Sequence, residues 1–268
     1  LTSLKNEVGI FIIDHHKDLA QIADTCIHIS DEGVITPISI EKWLFIQSQQ
    51  EIQSTKKIWE KLISPCDSVK LTTQNLTIGY SEKKLFNANI TLNSGDCAVL
   101  IGENGTGKST FFNTLAGIQK PLEGRIDFQI NQKTAKISEH MAHIFQHPDS
   151  HFFFDTLAEE LEQLGLKETA QVLDALNLND DSYSPHRLSE GQKRRLTLLY
   201  PILQNRPLIL LDEPTFGQDT ISTHKIIELI QELKKAGYAL IVITHDSYVQ
   251  KAIATKVWRI QNGVLKHV

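Results

Sequence analysis

The stretch Gly102-Glu103-Asn104-Gly105-Thr106-Gly107-Lys108-Ser109-Thr110 spaces glycines, a lysine and hydroxyls as a grip for nucleotide phosphates. Glycines let the backbone curl until successive N–H groups point inward, and a helix starting behind them adds a positive dipole end. Lys108 then reaches the β- and γ-phosphates, and the Ser109 hydroxyl can hold Mg²⁺. Further along, Asp212 and Glu213 end the apolar run Leu208-Ile209-Leu210-Leu211, where two carboxylates are costly unless something positive is near. Asp212 can hold Mg²⁺ through water, and Glu213 can accept a hydrogen bond from a water attacking a γ-phosphate. Gln146 can lend its carbonyl to Mg²⁺ or to that water. Tyr80 lies before the loop, where a ring could stack on a purine or simply end a strand.

These groups need elements that bring them to one place. Cys97-Ala98-Val99-Leu100-Ile101 is a short continuous apolar run, as in a buried parallel strand, and Thr110-Phe111-Phe112-Asn113-Thr114-Leu115 continues as a helix. Strands are also expected over Val69 to Ile78, Leu85 to Leu92, Gly124 to Phe128 and Ala142 to Phe145. The last ends at Gln146, just before Pro148, which forbids continuation. Ile241-Val242-Ile243 leads to Thr244 and His245, so this histidine emerges at a strand's carboxyl end, where ligands of α/β sheets gather.

Residues 156–178 have helical periodicity. Leu188-Ser189-Glu190-Gly191-Gln192 opens a further helix, with Ser189 and Gln192 spaced as a capping box. The basic run Lys193-Arg194-Arg195 reads as a solvated face. Phe152-Phe153-Phe154 reads as an exposed docking rim rather than three core residues. His140, His143, His147 and His151 would share one face only on a helix, which Pro148 and the strand-like Met141 to Phe145 break.

Net charge over the 268 residues is −5, which argues against a non-specific binder of nucleic acid or anionic membrane. No apolar run approaches the ~18 residues of a membrane span, so a membrane role has to come through a partner. Cys26, Cys66 and Cys97 are too widely spaced for a zinc pattern and fit a reduced, cytosolic setting.

The first 66 residues gain meaning from the last 40. Val8-Gly9-Ile10-Phe11-Ile12-Ile13 reads as a strand, and a second strand near Cys26 to Ser30 leads to a turn at Asp31-Glu32-Gly33. A shift of 230 positions lays Ile13 on Ile243, His15 on His245, Thr25 on Thr255 and Gly33 on Gly263 without a gap, which is an internal repeat. Residues 1–35 are therefore expected to be the tail of a preceding nucleotide-binding domain, and the chain, which starts at Leu1, a fragment. Residues 36–66, with Trp43, Leu44, Ile52 and Trp59, read as a connector with a helix whose aromatics cover neighbouring apolar surface. Residues 67–268 form the complete domain.

In this order the motifs resemble one family, the nucleotide-binding domains of ATP-binding-cassette (ABC) proteins. The resemblance implies an α/β phosphate-loop NTPase fold with a mixed central sheet, an antiparallel β-subdomain and a small helical subdomain. It implies ATP and Mg²⁺, bound through Tyr80, Gly102, Asn104, Gly105, Thr106, Gly107, Lys108, Ser109 and Thr110, with Ser109, Gln146 and Asp212 at the metal. Glu213, His245 and Gln146 take the catalytic roles, His245 as a γ-phosphate sensor, and His15 is the same switch for the first cassette. Ser189, Glu190, Gly191 and Gln192 are the signature, which closes over ATP on a second cassette, in cis or as a dimer, with Asp219 in the aspartate loop Phe216-Gly217-Gln218-Asp219. Glu190 departs from the commoner glycine.

Phe145-Gln146-His147-Pro148-Asp149 and Thr215-Phe216-Gly217-Gln218-Asp219 look like those of energy-coupling-factor ATPases, which drive vitamin and cobalt or nickel uptake. That implies a peripheral protein on the cytoplasmic face of the membrane, with transmembrane coupling and substrate-capture subunits as partners and no nucleic acid. The alternative is a soluble tandem cassette acting on ribosomes or DNA; a phosphate-loop kinase fails on the signature. If two cassettes are needed, this chain should hydrolyse ATP poorly until two copies pair. Specific activity is then expected to climb with protein concentration as sedimentation shows dimer forming, and efficient turnover by a strict monomer would contradict this.

Overall fold

The structure, a computed structural model, describes residues 26–29, 35–39, 56–81, 83–165, 169–176, 178 and 181–268. The chain divides into two units, residues 1–54 and 55–268. In the first, β1 (Cys26–Ile29) and β2 (Ile35–Ile38) pair antiparallel, His28 opposite Thr36. The strand expected over Val8 to Ile13, His15, the turn at Asp31-Glu32-Gly33, and Trp43, Leu44 and Ile52 lie outside the described residues.

The second unit is built on a mixed sheet of eleven strands. Its antiparallel part holds β3 (Val69–Tyr80), β4 (Lys83–Ala88), β5 (Thr91–Asn93), β7 (Glu123–Ile130) and β8 (Lys133–Thr134). The single strand expected over Leu85 to Leu92 is thus two. At the break, Asn89 Oδ1 accepts from the Asn75 N–H and Thr73 Oγ1 from the Ile90 N–H, so side chains of the loop and of β3 replace ladder bonds.

The parallel part runs β12 (Lys256–Gln261), β6 (Cys97–Ile101), β11 (Ala239–Ile243), β10 (Leu208–Asp212), β9 (Met141–Ile144), and β13 (Val264–His267) joins it to β4. The hairpin of β12 and β13 is the counterpart of β1 and β2 under the 230-residue shift. It pairs one residue out of step, with Trp258 opposite His267.

Both faces of the central strands β6, β11 and β10 are covered, which is why these are apolar up to Asp212. Val99, Ile209, Leu211, Leu240 and Val242 face one core, and Leu100, Leu208, Leu210, Ile241 and Ile243 the other. The second core also takes Phe111, Phe112 and Leu115 of α1 (Lys108–Leu115) with the apolar side of the antiparallel strands. The first takes residues of α2 (Leu157–Gln163), α3 (Ala170–Leu176), α4 (Glu190–Leu203), α5 (Thr220–Lys235) and α6 (Ser247–Ile253).

A helical segment over residues 56–62 belongs to that first core. Trp59 is fully buried in it, Lys56 Nζ lies 3.6 Å from Glu228 of α5, and the Cys66 N–H donates to the Ala236 carbonyl at the end of α5. The indole fills core volume that no neighbour could reclaim. Trp59→Ala is expected to cost about 3–5 kcal/mol, read as a lowered urea midpoint of the full chain.

Candidate active site

The strands β9, β10, β11, β6 and β12 are mutually parallel, so the segments leaving their carboxyl ends share one edge. From β6 comes the loop 102–107, from β10 Glu213, from β11 Thr244 and His245, and from β9 Phe145 and Gln146. A cavity of about 620 Å³ opens there. Lys108, Asp212, Glu213, Gln146 and His245 line it together with Ser109 and Thr110. Asn104, Gly105, Gly107 and Tyr80 complete the set of expected residues around it. Gly102 and Thr106 instead line a second, adjoining cavity of about 420 Å³ beside Arg259 and Asn262.

Local sequence explains the shape. Gly107, at φ 100°, caps α1; a side chain there would be strained at that backbone angle, and its Cβ, 2.8 Å from Leu85 Cδ1, would force that side chain to shift. The first N–H groups of α1 have no intrahelical acceptor and are donors available to an anion. Lys108 Nζ donates to the carbonyls of Gly102, at 2.7 Å, and Glu103, at 3.0 Å, which fixes the ammonium against its own loop. At the far end Tyr80 follows a register shift at Ile78/Gly79, and a Cβ on Gly79 would strike the Lys83 carbonyl at 2.3 Å. The Tyr80 ring is half exposed, with Lys83 Nζ 5.9 Å from its centre.

Charge balance governs the cavity. Burial pushes the carboxyls of Asp212 and Glu213 above their ordinary values, opposed by Lys108 and Arg194 at Asp212 and by His245 at Glu213. Burial pulls the Lys108 ammonium below its ordinary value, and Glu213 and Asp212 pull it back. Glu213 sits at φ 47°, a left-handed backbone sparsely used outside glycine. Its N–H donates to Ile243 of the adjacent strand, and its Oε1 is buried without a hydrogen-bond partner, 3.5 Å from His245 Nε2. The donors Ser109 hydroxyl, Gln146 amide carbonyl and Asp212 carboxylate are all hard oxygens, which suits Mg²⁺.

The signature residues lie elsewhere. Ser189 caps α4 reciprocally with Gln192, whose side chain also donates to the Leu176 carbonyl. None of Ser189, Glu190, Gly191 or Gln192 lines the cavity; a Cβ on Gly191 would lie 3.5 Å from Gln218 Oε1. Asp219 caps α5 by accepting from the Ser222 N–H at 2.8 Å.

Two expectations fail here. Lys193, Arg194 and Arg195 are not a solvated face: all three are buried, because the loop after β9 folds over this helix. Lys193 pairs with Asp149 at 2.8 Å, and the Arg194 guanidinium donates to the carbonyls of Phe145 and Gln146. The three phenylalanines are not one exposed rim either: Phe152 is in the core and Phe153 is 80% exposed. Phe216, which is exposed, and Leu85 and Ile243 also line the cavity, and sequence reasoning gave none of them a place in it.

The histidines serve packing. His143 stands edge-on to Phe112 and against Phe145, and His151 stacks on Phe145 and accepts its N–H. Among the described residues no cluster of three His, Cys, Asp or Glu could hold a metal.

Comparison with known proteins follows this geometry. The family described as "ABC transporter" matches residues 85–216. A putative ABC transporter ATP-binding protein of Methanosarcina mazei is 29% identical over 280 residues, covering 96% of this chain and 55% of its own. The energy-coupling factor transporter ATP-binding protein EcfA of Methanocaldococcus jannaschii is 31% identical, covering 65% and 69%. The solved cbiO1 of Clostridium perfringens, part of the complex cbiONQ, is 25% identical with a TM-score of 0.62, covering 73% and 86%. Fold and cavity are those of a phosphate-loop domain of the ATP-binding-cassette type. The chain belongs to the ABC transporter family of ATP-binding proteins, and it spans about half the length of the M. mazei relative, 55%.

Burial pulls His143 and His151 down to about 4, so the unfolded chain takes up protons from pH 6.5 downward before the fold does. Stability should therefore fall between pH 6.5 and about 4. His143→Phe keeps the ring and is expected to flatten that fall in urea midpoints measured across the window.

Proposed function

We propose that this chain hydrolyses ATP to energise a membrane importer of the energy-coupling-factor type, for a vitamin or for cobalt or nickel. It works as a peripheral subunit on the cytoplasmic face, joined to transmembrane coupling and substrate-capture subunits. The observation that carries the ATPase reading is that Lys108, Glu213 and His245, each delivered by a different parallel strand, line one cavity. The likeness to EcfA and to cbiO1 supports the importer reading. Among the described residues no helix is long and apolar enough to cross a membrane.

Each residue has a place in that reaction. Tyr80 presents a ring face for the adenine; the loop from Gly102 to Gly107 and the first turn of α1 offer N–H groups to the phosphates, and Lys108 adds charge. Ser109, Asp212 and Gln146 would hold Mg²⁺, which neutralises phosphate charge when bound. Glu213, with its Oε1 buried and free of hydrogen bonds, takes the proton of a water as that water attacks the γ-phosphorus and the bond to the ADP oxygen breaks. His245, 3.5 Å from that oxygen, orients the carboxylate and reports on the γ-phosphate. Ser189 and Gly191, which do not line this cavity, serve the nucleotide of a second cassette, with Asp219 at the same junction. His15 has the corresponding role in the first cassette, of which residues 1–35 are the tail, and residues 36–66 connect it to the cassette over 67–268.

Glu213→Gln keeps the shape and removes the base. Binding of ATP, followed by equilibrium dialysis, is expected to stay within about twofold while kcat falls at least about 100-fold. Recovery of the full-length protein from solubilised membranes together with apolar subunits tests the importer reading, and its absence from that fraction would refute it.

A further inference from the structure

Three side chains of α4 reach back to the segment that carries Gln146. Arg194, 3% exposed, donates from one guanidinium nitrogen to the Phe145 carbonyl at 3.0 Å and from the other to the Gln146 carbonyl. Lys193 pairs with Asp149, and Tyr200 donates to Glu160 at 2.7 Å while setting its ring edge-on to His151. Glu160, buried, in turn accepts the N–H groups of Phe153 and Phe154. On the other side the Phe145 N–H donates to His151 Nε2 at 3.0 Å, under a ring stacked on Phe145. The backbone of Phe145 and Gln146 is thereby gripped by donor and acceptor alike, while the Gln146 side chain lines the cavity.

A buried guanidinium is expensive, and an apolar residue would pack there at lower cost. Its planar fork holds two successive carbonyls from two separate nitrogens fixed in one plane, a geometry that leucine lacks and that the single, freely turning nitrogen of lysine does not set. We infer that Arg194 is a positioning residue for ATP hydrolysis, acting through Gln146: from the helix that begins at Ser189 it fixes the height at which Gln146 meets the metal and the attacking water. The inference rests on the role given to Gln146 above. It makes the capped start of α4 and the Gln146 segment one mechanical piece, so that displacement of either carries the other.

The test is a double-mutant cycle on the full chain. Arg194→Lys keeps the charge and loses the fork; it is expected to lower kcat about 10- to 100-fold, the upper end being what an ångström of misplacement costs, with ATP affinity within about twofold. In a Gln146→Ala background the same change should cost less than about twofold, because the group it positions is gone. Equal losses in both backgrounds, or no loss in the first, would overturn the inference. Hydrogen exchange without nucleotide reads the clamp independently of turnover, and the amides of residues 145–150 should exchange faster in Arg194→Lys. Unchanged exchange would refute the clamp, whereas a parent chain with normal protection and no turnover at concentrations where it is dimeric would refute the ATPase reading instead. His151→Phe, which retains the stack and removes the acceptor, gives the same non-additivity with Gln146→Ala should Arg194→Lys fail to fold.

Discussion

Two carboxylates at the end of a strand buried on both faces, opposed by one lysine held against its own loop, are the constraint around which this molecule is arranged. Asp212 and Glu213 are dehydrated by the same packing that makes β10 a core strand, and each is pushed toward its neutral form. Lys108, Arg194 and His245 supply the opposing charge, each from a different element. Parallel pairing of β6, β11 and β10 brings these elements to one edge. Hard carboxylate oxygens set beside a lysine and a loop of free N–H groups are receptive to a divalent cation and, with it, to a polyphosphate.

The second organising feature is α4, which is a strut as well as a capped helix. Its start is sealed by Ser189 and Gln192, its next turn is spent on the loop after β9, and Tyr200 reaches Glu160 at the close of that loop. A run of three basic residues is thus consumed internally. Arg194 also faces Asp212, so the strut and the carboxylate edge share an electrostatic partner.

Much of this was legible in the sequence where local chemistry and burial agree. The loop at Gly102 to Thr110, the strand ends at Asp212 and His245 and the capping box at Ser189 have signals within a few residues, and the structure has those elements at those positions. The misreadings all concern side chains whose fate is set by distant chain. Lys193 to Arg195 look solvated until the segment 145–154 folds over them, and Phe152 separates from Phe153 only because the turn before α2 sends one inward. The split between β4 and β5 depends on Thr73 and Asn89, side chains competing with a ladder, which hydropathy does not register. Trp59 offered a hint of cover for apolar surface, but not that it would be wholly enclosed.

The left-handed turn at Glu213 reaches beyond chemistry. A corner at φ 47° filters its occupant by shape before any reaction is considered: β-branched residues are disfavoured there whatever their polarity, and asparagine or glycine are admitted whatever their reactivity. The acid at this position is therefore selected twice, once by the proton it must accept and once by a bend that aims its side chain into the cavity. Replacements that satisfy only one of these demands would fail for reasons that look alike in an assay and differ in their physics.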